Sequence, residues 1–260
     1  MAAGINWAVQ YGAHILNNSW GDQGGFRYNE LHSYLLEDAI DNAIENGRNG
    51  LGCIVVFASG NDGQITPVID YPAYYRPEIL VVGSITSAGQ RSNFSGYGTQ
   101  LDIVAPGSEI LSTISNNQYD TWDGTSMAAP HVSAVAGLVL SRYSNLTRAQ
   151  VINIIESTAQ KVGGYDYQTT IGRPNGIWHG DVGYGLVDAY AAVHAVCTTT
   201  NFITYFYNRT IYYDTTVKGC NINVQNVGVQ YLAKLTIDAQ NETTINGPFE
   251  VQIGSTLEIK

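Results

Sequence analysis

Basic side chains are scarce in this sequence: across 260 residues there are 12 Lys and Arg against 22 Asp and Glu, a net charge of -10. A surface so short of cations cannot neutralise a run of phosphates, which excludes nucleic acid as the default partner. Long apolar runs are missing too. Nothing approaches the ~20 consecutive apolar residues that a membrane span needs, so no transmembrane segment is read here. Residues 1–20 hold no basic stretch ahead of an apolar one, and an export signal would have to lie upstream. Cysteine is sparse, with only Cys53, Cys197 and Cys220, so at most one disulfide can form. Cys197 with Cys220 is an open pairing, and Cys53 reads as core.

What is present suits a globular chain, with 44% hydrophobic residues and 28 glycines. That is enough to bury a sizeable core in one large domain, or in a domain plus a module. Low lysine with many Tyr, Asn, Thr and Gly suits a secreted or cell-envelope protein. From Met1 to about 196, helix-like and strand-like segments alternate, the pattern of an α/β domain with a largely parallel sheet. Helices are expected over Ala3–Tyr11, Leu35–Asn46, Met127–Tyr143 with Pro130 in its first turn, a segment opened by the capping box Thr147–Gln150, and Val187–Val196. Strands are expected at Ala13–Asn17, Cys53–Ala58, Ile79–Val82 and Leu101–Val104. From residue 197 to 260 the character changes to a small all-β module. There Leu235–Ala239, Phe249–Ile253 and Leu257–Ile259 alternate like stacked strands broken at Gly247 and Gly254, as a small sheet or a solenoid-like end would.

Chemistry is concentrated in two loops. In Gly124-Thr125-Ser126-Met127-Ala128-Ala129-Pro130-His131-Val132 a serine stands where a glycine-containing loop meets a buried helix. A helix N-terminus favours nearby negative charge, and the free N–H of Ser126 can donate to an oxyanion formed by attack of its own hydroxyl. In Ser59-Gly60-Asn61-Asp62-Gly63, after the most apolar strand, Asn61 offers a second, neutral donor. By residue type alone this segment also reads as a turn. The acidic residues Asp22, Asp62, Asp70 and Glu78 read as solvated surface, and no loop has a recognisable metal-ligand spacing.

Gly124–Val132 resembles, nearly residue for residue, the active-site serine motif of the subtilisin-like (S8) peptidases. Asn17–Gly21, Ala58–Asn61, Asp102–Gly107 and Gly183–Ala189 are each similar to further landmarks of that family, in family order, over roughly residues 1–195. The resemblance implies a subtilisin-like three-layer fold and a serine endopeptidase acting on protein or peptide substrates, bacterial and secreted or attached to the cell envelope. It implies Ser126 as nucleophile and Asn61 as the oxyanion-hole side chain. Ser19, Trp20 and Gly21, with Ala58, Ser59 and Gly60, become the walls that grip substrate. It also implies a cis Tyr71-Pro72 bond. The chemistry requires no cofactor, although family members often bind a structural Ca²⁺ or monovalent cation through loop oxygens.

In the chain order of this family, Asp and His precede the serine. Neither an Asp-Ser/Thr-Gly strand end nor a His-Gly-Thr helix start is found, so the N-terminal part of the catalytic domain is expected to be missing. The histidines present do not substitute. His131 lies five residues after Ser126 on the same helix and points elsewhere, His179 sits in a glycine-rich loop, and His14, His32 and His194 read as surface or core. The expectation is a chain inactive by itself and, with its parallel sheet cut open, prone to aggregate. The alternative is a non-catalytic remnant or pseudopeptidase that binds peptides or serves as a scaffold. An α/β-hydrolase is excluded, because Gly124-Thr-Ser126-Met-Ala lacks the second glycine of the nucleophile elbow.

Overall fold

The computed structural model describes residues 1–22, 27–65, 68–199 and 203–260. They form two compact units, Met1–Val193 and His194–Lys260. The first is built on a parallel sheet in the order β1 (Ile15–Asn18), β2 (Ile54–Ala58), β3 (Leu80–Ile85) and β4 (Ile103–Pro106). Every residue of β2 and β3 is buried, as expected of strands covered on both faces. Alternation along the strands divides their side chains between two layers. Val55, Phe57 and Val81 share a core with Ile5 of helix α1 (Ala2–Gln10) and with Ala39, Ile40 and Ala43 of α3 (Tyr34–Asn46). The short helix α2 (Tyr28–Leu31) precedes α3.

The opposite face is crossed by helix α4 (Thr125–Arg142), which touches all four strands and buries Ala128, Ala129, Val132 and Val139. Helix α5 (Arg148–Ser157) packs beside it. The capping box at its start is formed in both directions, with Thr147 Oγ1 accepting from Gln150 N and Gln150 Oε1 accepting from Thr147 N. Helix α6 spans Ala189–Thr199. An element that hydrophobic periodicity did not reveal is the antiparallel hairpin β5 (Ile110–Ile114) and β6 (Gln118–Trp122). Its strands are largely exposed and carry little burial pattern, while Asn116 and Asn117 take the positive φ of its tight turn. Cys53 is fully buried and free. The side chains of Cys197 and Cys220, and so their pairing, lie outside the described residues.

The second unit stacks β7 (Ile203–Ile211), β8 (Thr215–Val229), β9 (Lys234–Val251) and β10 (Thr256–Ile259), every neighbouring pair parallel. Flat parallel strands need crossovers of about a dozen residues or more, yet these are joined by three or four. The chain must therefore coil, with each turn pairing onto the previous one: Ile203 with Asn221, Thr215 with Leu235, and Lys234 with Thr256. Between the solenoid-like end and the small sheet, the solenoid is what forms. Gly247 does not end a strand as expected. The bend is absorbed within β9, opposite a register shift at Gln225/Val227 of β8. Like residues stack from turn to turn, Val217 on Ile237 inside, and Asn226 on Asn208 by a 2.9 Å side-chain bond outside.

A buried acidic pair makes the stability of the first unit depend on pH. Asp102 is bonded to Arg173 at 2.5 Å and accepts from Val81 N at 2.7 Å. Nearby, Glu156 accepts from Asn175 Nδ2 at 2.5 Å. Burial first, then the charge of Asp102, pushes the Glu156 carboxyl up to about 8 from its ordinary 4.5. The folded state thus holds a proton that the unfolded chain releases. This stability is full below about pH 4.5 and is lost as pH rises through about 8. Burial also raises Asp102, with the same sign. Glu156→Gln keeps an acceptor for Asn175 and removes the titration. It is expected to flatten the decline in stability between pH 4.5 and 8 and to be the more stable form above pH 8, measured by urea denaturation across that range.

Candidate active site

Strands β1 and β2 are neighbours, with Asn18 paired to Phe57, so the loops that follow them leave the same end of the sheet side by side. Ligands of open parallel sheets bind at such carboxyl ends. The N-terminus of α4 meets both loops there. Helix α4 starts at Thr125, two residues earlier than periodicity placed it, so Ser126 lies inside its first turn and its N–H is among those without an intrahelical acceptor.

The earlier start also corrects the reading of Pro130, which falls in the second turn and not the first. Proline cannot donate to the carbonyl four residues back, so Ser126 O would be left without its helical bond. Ser19 supplies it, its hydroxyl donating to Ser126 O at 2.9 Å. Ser126 Oγ in turn donates to Ser19 O at 3.2 Å. The loop after β1 is thereby clasped to the helix on both sides of the serine.

Asn61 is oriented from the same helix. Its Oδ1 accepts from Thr125 N at 2.9 Å and from Thr125 Oγ1 at 3.0 Å. Because a backbone N–H can only donate, the atom facing it must be the amide oxygen, which leaves the Nδ2 donors turned away from Thr125. Nδ2 lies 3.7 Å from where a Cβ on Gly124 would sit, beside the turn that carries Ser126. Thr125, which residue type and spacing do not single out, is what orients Asn61. It is fully buried and also bonds Gly60 through its hydroxyl.

A pocket of about 320 Å³ opens beside Ser126, lined among others by Trp20, Gly21, Ala58, Gly60 and Asn61. Five of the expected wall residues are thus placed, Ser19 at the clasp and four on the lining. Ser59 is not among the lining: it is fully buried, with its hydroxyl on Gly96 O at 3.0 Å. Trp20 packs edge-on to Phe57, ring centres 5.0 Å apart, so it serves the core and the pocket at once. Three acidic residues read as solvated surface, Asp22, Asp62 and Asp70, line the same pocket. Only the fold brings them there, because Asp22 comes from the connection after β1, and Asp62 and Asp70 come from separate stretches of the connection after β2. Glu78 is instead paired with Arg76 at 3.1 Å.

On its other side Ser126 borders a second pocket of about 670 Å³, between α4 and the β5–β6 hairpin, lined also by Leu111, Trp122, Met127 and His131. His131 is turned back on its own helix, Nδ1 lying 2.8 Å from Met127 O. Among the described residues no histidine hydrogen-bonds to Ser126. The Tyr71-Pro72 bond is cis, and Tyr71 pairs with Asp22 through two backbone bonds of 2.8 and 3.0 Å. Among the described residues no three His, Cys, Asp or Glu side chains gather to hold a metal ion. No described helix is long and apolar enough to cross a membrane.

Fold and site together define an α/β protein with a serine-bearing cleft at the carboxyl ends of its parallel strands. The chain belongs to the subtilase family, Peptidase_S8, which matches residues 1–185. It is 39% identical over 166 residues to a subtilisin of Bacillus pumilus, covering 63% of this chain and 56% of that protein. It is 36% identical over 192 residues to alkaline elastase YaB of a Bacillus species, covering 74% and 43%. Among solved structures it is similar to the prenylagaramide maturation protease PagA, with a TM-score of 0.60 and 26% identity, covering 75% of this chain and 66% of that one. The chain spans about half the length of the curated relatives it matches.

Proposed function

We propose that Ser126 is the nucleophile of a secreted bacterial serine endopeptidase. Its Oγ bonds to the scissile carbonyl carbon, and Asn61 Nδ2 with the Ser126 N–H receives the charge that develops on the carbonyl oxygen. The amine leaves with a proton, and water then releases the acyl group. The observation that carries this reading is the pair of bonds from Thr125 to Asn61 Oδ1, 2.9 and 3.0 Å. They hold the side chain with its donors outward before any substrate arrives, which is the preorganisation an oxyanion hole requires. The reaction so written needs no cofactor. A structural Ca²⁺ or monovalent cation held by loop oxygens is compatible with this reading.

A serine hydroxyl is a weak nucleophile without an adjacent base. We assign the base to a His–Asp pair from a segment outside these residues, approaching Ser126 from the side of the β5–β6 pocket. The rival reading, a non-catalytic peptide-binding remnant, is favoured by the lack of a histidine bonded to Ser126 among the described residues. A fluorophosphonate probe separates the two. Applied to residues 1–260 and to a longer chain extended upstream, with Ser126→Ala as control, it should label only the longer chain, and at Ser126. Failure to label either would leave the binding reading standing.

A further inference from the structure

The pocket beside Ser126 carries a charge that the peptidase reading leaves unexplained. Among the described residues its lining includes Asp22, Asp62 and Asp70, and no Lys, Arg or His. Trp20 and Ala58 supply the apolar side chains of that lining. Asp70 is the most tightly built in. Its backbone N–H donates to Ser59 O at 3.0 Å, and its carboxylate lies flat against Gly60. A Cβ at position 60 would come within 2.3 Å of Asp70 Oδ2, and one on Gly21 within 3.2 Å of Asp70 Cβ. Gly60, at φ +104°, therefore gives the loop its turn and gives the carboxylate its place at the wall of the pocket.

The pocket volume of about 320 Å³ is at the lower end of the range for small-ligand sites, about 300–1,000 Å³. It suits one side chain better than a length of peptide. An apolar group entering it would strip water from carboxylates without replacing those bonds, which costs far more than a lost apolar contact gains. A guanidinium or ammonium group would supply donors and opposite charge in the same space. A metal ion is a poorer occupant, because the three carboxylates do not gather closely enough to ligate one.

We propose that this pocket selects a basic side chain, arginine or lysine, on the acyl side of the bond cleaved, with Asp70 as the principal specificity determinant. The inference rests on the reading of Ser126 as a peptidase nucleophile. The test uses the full-length protein and peptide substrates that differ only at that position, Arg, Lys, Leu, Phe or Glu, with fluorophosphonate labelling of Ser126 run in parallel. The expected result is kcat/KM for Arg or Lys above that for Leu and Phe by on the order of 100-fold, with Glu lowest. Asp70→Asn keeps the shape against Gly60 and removes the charge, and should shrink that ratio by about tenfold or more. Labelling of Ser126 with Leu or Phe cleaved as fast as Arg would overturn the inference and leave the peptidase reading intact. A basic preference unchanged in Asp70→Asn would overturn the role of Asp70. Absence of both labelling and cleavage would overturn the peptidase reading and this inference together.

Discussion

Ser126→Ala is expected to lower kcat of the full-length protein by about 10⁶, with KM little changed, the size of effect known for loss of the nucleophile in subtilisin, a relative. The reason for so large an effect is that the acyl intermediate cannot form without Oγ, and any residual rate comes from the oxyanion donors and binding alone. Folding should hardly notice the change. The hydroxyl donates only to Ser19 O at 3.2 Å, while the bond that replaces the one lost at Pro130 uses the Ser126 carbonyl and survives substitution. Stability within about 0.5 kcal/mol of the parent, together with the loss of turnover, is the expected pair of results. Steady-state kinetics and urea denaturation on the same preparations check it. A turnover within about tenfold of the parent would remove Ser126 from the chemistry.

Asn61→Ala should cost about 10²–10³ in kcat, again the magnitude known from subtilisin for one lost oxyanion donor, while KM stays nearly unchanged. The separation follows from where the interaction acts. Nδ2 is aimed at charge that exists only as the tetrahedral intermediate forms, so its removal raises the barrier without loosening the substrate. Thr125 N and Thr125 Oγ1 lose an acceptor in this variant, and Thr125 is fully buried. A stability loss of roughly 1 kcal/mol should therefore accompany the rate effect. Measuring kcat and KM separately is decisive. An increase in KM alone would make Asn61 a binding residue.

Much of this protein was legible in the residues because the signals were local. The unbroken apolar run ending at Ala58 marks a strand buried on both faces, and the capping box at Thr147–Gln150 marks a helix start. Gly124–Val132 carries its serine at a loop-to-helix junction, whatever the rest of the chain does. Where the signal was weak the reading fell short. The β5–β6 hairpin is largely exposed, so no burial pattern betrays it. Pro130 obscured the first turn of α4, because a proline usually lies closer to a helix start. The alternation in residues 234–259 was visible, but flat sheet and coil share it. Only the three- and four-residue connections between parallel neighbours decide for the solenoid.

By itself the sequence determined the α/β class and the family, and it pointed to the serine and asparagine proposed for the chemistry, since each depends on residue type and short spacing. The tertiary structure alone decided that Thr125 turns the Asn61 amide outward and that Ser19 replaces the bond Pro130 cannot make. It alone brought Asp22, Asp62 and Asp70 to one pocket beside Ser126. These are contacts between residues up to 107 positions apart, made when loops from adjacent parallel strands meet one helix end, and no local pattern can encode a distance that only the assembled sheet creates.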